Sequence, residues 1–528
     1  MELTPAPADL RAGRKEWIAL CVLLLPLLLV SMDVSVLYFA VPFISKDLAP
    51  TSTQQLWIFD IYGFVLAGLL LTMGSLGDRI GRRRLLTLGA AAFGLASVTA
   101  AYAPSAEMLI AARGVLGIGG ATLMPSTLGL IRNMFHDEKQ RSTAVAVWTA
   151  AMTGGIALGP VLSGVLLDHF WWGSVFLVNI PAMAMLLMLA PMLVPEFRDP
   201  NPGRFDLVGA VLSLAAVLPV IYGLKKIAAA GLGVLPALSI AAGLVLGIAF
   251  VRRQQTRPDP MIDLGLFRHR AFSGSMAANM VGAFAMMGSA IFTTQYLQSV
   301  LGLSPLTAAL WSLVPSLGVG FAAPVASALA QRMDRAYVIG AGFLVAASGF
   351  GGITQVRADS GLWVVLTAAG VLACGIVMVM TLVTDMVLGA VPPERAGSAS
   401  ALVECGSEFS GALGMAVLGS VGTAVYRRDV TGALPTGLSS GTLDAVRETL
   451  GGATVVAGRL PGRAGDAVLH AAREAFANGM HAAAITAAGL MAAAAVLATV
   501  VLRRSEVAAP SREAHAVQDT RPEPVTGR

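Results

Sequence analysis

Charge is what this chain is short of. Asp, Glu, Lys and Arg make up only 13% of its 528 residues, against 56% hydrophobic residues. A soluble domain carries about 25% charged residues, so a soluble fold of this composition could not cover its own surface. The same figures exclude a disordered chain, which is rich in charge and poor in apolar groups. Cysteine is scarce as well. Cys21, Cys374 and Cys405 all lie within apolar runs, which argues against a disulfide framework, and no C-x-x-C metal site is present. The six histidines are dispersed without metal-ligand spacing. No Walker loop is present, which argues against ATP-driven chemistry, and nothing supports an enzyme, a cofactor or a metal. The 58 glycines are scattered without the three-residue period of a fibrous helix. A polytopic membrane protein remains. Its net charge of +5 then matters less than where the charges lie, and nucleic acid is not an expected partner.

What the chain has in abundance is long apolar runs. A helix crossing ~30 Å of hydrocarbon needs roughly 20 apolar residues. Runs of that kind are read at 17–43, 53–77, 84–103, 105–132, 142–167, 173–194, 206–224, 233–251, 271–297, 304–330, 336–355, 361–390, 397–425 and 478–502. The first run is too long for a cleavable signal and contains Asp33. Strands of a membrane barrel would alternate polar and apolar residues; these runs do not. An even number of spans puts both termini on one side. On that arrangement 25 of the 36 Lys and Arg fall on the side of the termini and 10 on the other, with Arg113 inside a span. Positive loops stay in the cytoplasm, so both termini are expected there, in a bacterial inner membrane. The long outer loop before the last span, 426–477, has two stretches of helical periodicity, around Leu443–Leu450 and Asp466–Phe476. Both are read as amphipathic helices on the outer face. The tail after Arg504 has a disordered composition.

Ionisable groups at membrane depth cost several kcal/mol, so each is a functional candidate. Asp33 in helix 1, Asp60 in helix 2, Arg113 in helix 4, and Glu404 and Glu408 in helix 13 are such groups. Asp78 and Asp385 lie nearer span ends. Glu404 and Glu408 are spaced i, i+4 and share a helix face. Two carboxylates so close in a low dielectric do not both ionise easily, so one retains a proton near neutral pH, as a proton carrier must. A polar pair facing a watery vestibule is the plainer alternative. For Asp60 that alternative is a structural cap. Arg113 needs an acidic or backbone partner, and Asp33 is a candidate. Met276, Met280, Met286 and Met287 in helix 9 could give an adaptable ligand surface, although packing or lipid contact is the commoner use of methionine.

The loop after helix 2 reads Gly74-Ser-Leu-Gly-Asp78-Arg79-Ile-Gly81-Arg82-Arg83-Arg84. It resembles the signature loop of the major facilitator superfamily. Helix 4 carries Arg113-Gly-Val-Leu-Gly117-Ile-Gly119-Gly120, similar to a second element of that family, with Leu116 where Gln is frequent. Helix 5 carries Gly155-Ile-Ala-Leu-Gly159-Pro160-Val-Leu-Ser163-Gly164, which resembles the element of its proton antiporters. Met32-Asp33-Val-Ser-Val-Leu-Tyr-Phe-Ala40-Val-Pro42 and Trp172-Gly-Ser-Val-Phe176-Leu-Val-Asn179-Ile-Pro181 look like elements of the fourteen-helix drug:proton antiporters. The resemblance covers nearly the whole chain and is strongest in the first six helices. Helix 10, around Trp311–Ala330, lacks the acidic residue such exporters often have, which puts export of divalent cations in doubt.

The resemblance implies an all-α fold of two six-helix bundles with two helices inserted between them and a site at midplane. The expected division is a cytoplasmic N-terminus (1–16), a first bundle (17–194), the inserted pair (195–251), a cytoplasmic linker (252–270), a second bundle (271–502) that includes the outer loop, and a tail (503–528). Gln331–Arg335 is a faint second copy of the signature loop. The implied function is efflux of lipophilic cations, such as quaternary ammonium compounds and dyes, in exchange for protons. The expected partners are those cations, protons and lipid, with the chain working as a monomer. Asp33, Asp60, Arg113, Glu404 and Glu408 would couple protons and bind substrate. Gly74, Asp78, Arg79, Gly81 and Arg82 would form a cytoplasmic gate, and Gly155, Gly159, Pro160 and Gly164 the antiporter helix. A dedicated exporter of one antibiotic, a nutrient symporter and a membrane receptor are the rival readings. The helix 5 element disfavours the symporter, and buried carboxylates beside a gating loop have no purpose in a receptor.

Overall fold

The computed structural model describes residues 12–198, 206–257, 264–389, 396–434 and 440–503. All regular elements among them are helical, and fourteen helices are long and apolar enough to cross a membrane. They are α1 (Arg14–Leu48), α2 (Ser52–Ile80), α3 (Arg82–Ala101), α4 (Ala106–Met134), α5 (Glu138–His169), α6 (Ser174–Leu193), α7 (Leu207–Ala230), α8 (Val234–Thr256), α9 (Arg270–Gln295), α10 (Pro305–Ala330), α11 (Arg335–Ile353), α12 (Leu362–Gly389), α13 (Ala396–Ala433) and, after two short helices α14 (Ser440–Glu448) and α15 (Leu450–Ala457), α16 (Arg463–Leu502). A five-residue π turn, Tyr296–Val300, extends α9.

The sequence stops and starts these helices with ordinary local chemistry. Thr51, Ser105, Asp137, Asp206 and Ser304 each accept a backbone N–H in the first turn that follows them, which satisfies a donor left over at a helix start. Pro305 occupies the first turn of α10, where its missing N–H costs nothing. The turn from α2 to α3 is a single residue, Gly81, at φ 112°. A Cβ there would approach only the movable Glu196 carboxylate, so it is the positive φ that demands glycine.

Helix pairing repeats. In the first half α1 packs on α5, α2 and α3 on α4, and α3 on α6. Eight spans later the pattern returns, with α9 on α13, α10 and α11 on α12, and α11 on α16. The halves meet through α2 with α13 and through α5 with α10, two seams that the same two-fold relation exchanges. Glycines permit the close approaches. Gly63 faces Ala412, and a Cβ on Gly164 would lie 2.5 Å from the Leu306 backbone. The α7–α8 hairpin has no counterpart in the repeat and lies against α2 and α13.

Three expectations change. Lys225 and Lys226, read as an outer loop, belong to the last turns of α7, which leaves the outer connection shorter and less basic. The stretch Asp466–Phe476 is the beginning of α16, not a separate surface helix. From Arg463 to Leu502 the chain is rich in Ala and free of Pro, so nothing breaks the helix. The first periodic stretch does form a short helix, α14, and α15 follows it. The two are packed in: Val446, Leu450 and Ala453 are buried. The tail beyond Arg503 and the first eleven residues lie outside the described residues.

Candidate functional site

A cavity of about 290 Å³ lies between the halves, with a smaller one of about 80 Å³ beside it. Tyr38, Tyr62, Met286, Met287 and Glu408 line both. The larger cavity also reaches Met152 and Pro160 of α5, Met124 of α4 and Glu404 of α13. Its wall is apolar, aromatic and sulfur-rich, with two carboxylates. Tyr38 stacks on Phe59 at 5.5 Å between ring centroids, and its hydroxyl lies 3.2 Å from Met415 Sδ and 3.7 Å from Met287 Sδ. Of the four helix 9 methionines, Met286 and Met287 line the cavity. Met276 is buried, with its methyl carbon 2.5 Å from where a Cβ on Gly406 would sit, and Met280 is partly buried in the core.

Glu404 and Glu408 are one turn apart on α13 and both face this space. Of the five intramembrane charges read from the sequence, these are the two carboxylates on the wall. Arg113 borders the smaller cavity. Neither Asp33 nor Asp60 is among the lining residues of either cavity.

Asp33 and Arg113 form a buried ion pair that joins α1 to α4; their side chains are 4% and 1% exposed. Arg113 also donates from Nε to the Ile58 carbonyl at 3.1 Å, and its guanidinium lies 4.6 Å from the Tyr62 ring centroid. The pair thus ties three helices together behind a lining tyrosine. This is the partnership expected of Arg113.

Asp60 has a partner that sequence reasoning missed. Its carboxylate lies 2.6 Å from the ammonium of Lys225, and both side chains are fully buried. Lys225 also sits 4.2 Å from the ring centroid of Trp57. A signal was available. Lys225 interrupts an apolar run, and an intramembrane lysine calls for an acidic partner as much as an intramembrane aspartate calls for a basic one. Its assignment to a loop hid it.

The signature loop after α2 makes its described contacts within the first half. Asp78 pairs with Arg82 at 2.6 Å, and Arg82 donates to the Pro125 carbonyl at 3.0 Å. Glu196 accepts from the Arg83 amide, and Arg83 donates to the Val194 carbonyl. Arg79 is exposed, and Gly74 faces Pro125. The segment 390–395 of the second half lies outside the described residues. On the opposite face the halves are held together. Glu448 accepts from the Ser52 amide and hydroxyl at 2.8 and 3.0 Å and pairs with Arg427 at 2.6 Å. Ser304 donates to Asp168 at 3.4 Å.

The glycines of α5 fit a packing role. Gly155, Gly159 and Ser163 recur every fourth residue and face α1. A Cβ on Gly155 would lie 2.5 Å from the Leu28 carbonyl, and one on Gly159 2.0 Å from Ser35 Oγ. Ser163 donates to the Val36 carbonyl at 3.0 Å. Gly164 points instead to α10 of the other half, and Pro160 borders the cavity. The stripe therefore sets the distance between α1, which carries Asp33 and Tyr38, and the seam with the second half.

A family profile described as Major Facilitator Superfamily matches residues 23–415. The chain is 44% identical over 501 residues to the multidrug efflux pump LfrA of Mycolicibacterium smegmatis, covering 94% of this chain and 98% of that one. It is 35% identical to the methyl viologen resistance protein SmvA of Salmonella typhimurium, over 90% of this chain and 96% of that one. It is 30% identical to the tetracenomycin C resistance and export protein of Streptomyces glaucescens, over 95% and 94%. Among solved structures, a bacterial homolog of the human lysosomal transporter Spinster, in an inward-facing and unoccupied conformation, aligns with a TM-score of 0.66. It is 18% identical and covers 93% of this chain and 98% of that one, which speaks to the fold.

Proposed function

Since this chain belongs to the major facilitator superfamily, we propose that it exports lipophilic cations, such as quaternary ammonium compounds and dyes, in exchange for protons. The coarser statement does not depend on that proposal: the chain is a multi-pass membrane transporter of the drug-efflux type, not an enzyme. We further propose, from the basic loops, that both termini lie in the cytoplasm of a bacterial inner-membrane protein that works as a monomer.

The observation that carries the proposal is the placement of Glu404 and Glu408 on one wall of a cavity otherwise lined mainly by aromatic, aliphatic and methionine side chains, with Ser31, Ser35, Thr294 and Ser312. Such a wall takes ligands of varied shape and recognises a cation through charge and π faces. At an effective dielectric near 20, a carboxylate about 5 Å from a cation contributes roughly 3 kcal/mol, about two decades of affinity. Protonating that carboxylate removes the contribution. A proton arriving from outside therefore releases the cation there, and its loss to the cytoplasm restores the site. Asp33 and Arg113 hold α1 and α4 in register behind the cavity, and Asp60 acts through its lysine partner. The loop Gly74–Arg82 closes the cytoplasmic side when the outer side opens, and the α5 stripe keeps α1 seated as the halves rock.

Inverted membrane vesicles test this reading. Uptake of ethidium and of a quaternary ammonium dye should follow an imposed pH gradient, acid inside, and should collapse with a proton uncoupler. Uptake that survives the uncoupler, or transport confined to neutral or anionic compounds, would sink the proposal.

A further inference from the structure

The α7–α8 hairpin breaks the two-fold repeat, and apart from the partnership of Lys225 with Asp60 the export cycle gives it no part. Its contacts with the two halves differ in kind. Toward α2 they combine apolar packing against Trp57 and Phe64 with polar contacts. Lys225 meets Asp60 at 2.6 Å with both side chains fully buried, and Ser213 donates to the Gly68 carbonyl at 3.3 Å. A Cβ on Gly68 would lie 2.4 Å from Leu214, so α7 sits directly in the glycine notch of α2. Among the described residues neither Asp60 nor Lys225 has another hydrogen-bond partner. Each charge is compensated by the other, and the Lys225 ammonium also by the Trp57 ring. Toward α13 the contact is apolar. Ile221 joins Ala412 and Ala416 in a small core with Phe64, flanked by Val217, Leu218, Phe409 and Leu413.

These two kinds of contact respond differently to movement. Separating a buried ion pair leaves two charges without water, at a cost of several kcal/mol per ion. Sliding one apolar face along another is far cheaper, because dispersion and burial are non-directional. The α2–α13 seam must part when the outer side opens.

We infer that Lys225 is a positioning residue of the transport cycle: it pins the inserted hairpin to α2, so that the hairpin travels with the first half and gives α13 an apolar surface to slide along. The hairpin then covers the parting seam from the bilayer and keeps lipid out of the cavity. Its own base is braced for this. Asp206 at the start of α7 pairs with Arg253 at 2.8 Å and Arg257 at 2.7 Å, so α7 and α8 move as one unit. The inference rests on the reading of the chain as an alternating-access exporter. It does not depend on proton coupling or on the substrate.

Paired cysteines test it, in a variant with Cys21, Cys374 and Cys405 replaced by Ser that still exports dye. Gly68→Cys with Leu214→Cys links α7 to α2. Ile221→Cys with Ala416→Cys links α7 to α13. Each pair is closed with a short bis-methanethiosulfonate, which forms a reducible disulfide with each cysteine and releases methanesulfinate. The expected result is that the α7–α2 link leaves dye export within about twofold, while the α7–α13 link lowers it about tenfold or more and reductant restores it. The reverse pattern, two harmless links or two blocking links would each overturn the inference. A failed pH-gradient experiment would leave this pattern intact, so the two ideas fail separately. Lys225 itself is tested by rescue. Lys225→Met should lower the maximal rate about tenfold or more with little change in apparent dye affinity, and Lys225→Arg should restore it. The double variant Asp60→Asn/Lys225→Met removes both charges and should recover membrane abundance. With the pin gone, its dye export should stay low, and closing the α7–α2 link in it should partly restore export. Full activity of Lys225→Met would overturn the role given to that residue.

Discussion

The Tyr38 hydroxyl lies 3.2 Å from the sulfur of Met415, so α1 of one half touches α13 of the other across the cavity. The tyrosine ring is stacked on Phe59 and presents its body to the space where Glu408 also points. A cation in that space meets a π face on one side and a carboxylate on the other.

Tyr38→Ala should weaken the apparent affinity for ethidium about tenfold, since a desolvated cation–π contact contributes up to about 2 kcal/mol. Tyr38→Phe keeps the ring and loses a weak bond to sulfur, so it should stay within about threefold of the wild type. Concentration dependence of dye uptake in inverted vesicles separates the two variants.

Asp33→Asn leaves Arg113 buried without its counter-charge. Such a change costs about 3–5 kcal/mol when the remaining charge stays buried. Export should be abolished while the protein remains in the membrane. The double variant Asp33→Asn/Arg113→Gln should recover most of the lost melting temperature. Wild-type export by Asp33→Asn would remove Asp33 from the mechanism.

Gly155→Ala places a methyl group 2.5 Å from the Leu28 carbonyl, whereas Gly154→Ala meets nothing within 4 Å. Overpacking of this kind costs about 1–3 kcal/mol. The first variant should lower both export and melting temperature, and the second should change neither. Equal behaviour of the two would show that the α5 stripe does not set the α1–α5 distance.

Much of this was legible in the chain. Fourteen spans follow from run length. The Asp33–Arg113 partnership and the shared face of Glu404 and Glu408 follow from the cost of charge in lipid and from helical spacing. What stayed hidden depended on contacts between distant segments. Lys225 lies near the end of a run, where hydropathy cannot separate loop from helix, and its partner is 165 residues away. Tyr38, Tyr62 and Met415 are common residues of apolar helices, and only packing selects them for the wall. The helical start of α16 was read as a surface helix because amphipathic periodicity looks the same on a free helix and on the exposed end of a long one.

The base of the inserted hairpin carries a pH signature. Burial pushes the Asp206 carboxyl up, but hydrogen bonds from Arg253 and the Gly209 amide, with the charges of Arg253 and Arg257, outweigh it and hold the group below the usual carboxylate range. An acid held low in the folded state stabilises it above the unfolded value, roughly pH 4, and loses that effect as pH falls through the folded value. Asp206→Asn should therefore melt earlier than the wild type at pH 7, and the gap should close as the pH is lowered below about 4. Thermal melts of the detergent-purified proteins provide the comparison. A gap that does not change with pH would mean that the carboxylate charge is not what braces the hairpin.

Cation and proton fluxes in opposite directions through one cavity are the centre of the account, and reconstituted vesicles with a trapped pH indicator measure both. Adding a quaternary ammonium compound to one side of wild-type vesicles should drive protons out of the other. Glu404→Gln/Glu408→Gln should abolish that proton movement and cut cation uptake by roughly two decades. Cation uptake with no proton movement in the wild type, or unchanged coupling in the double variant, would contradict it.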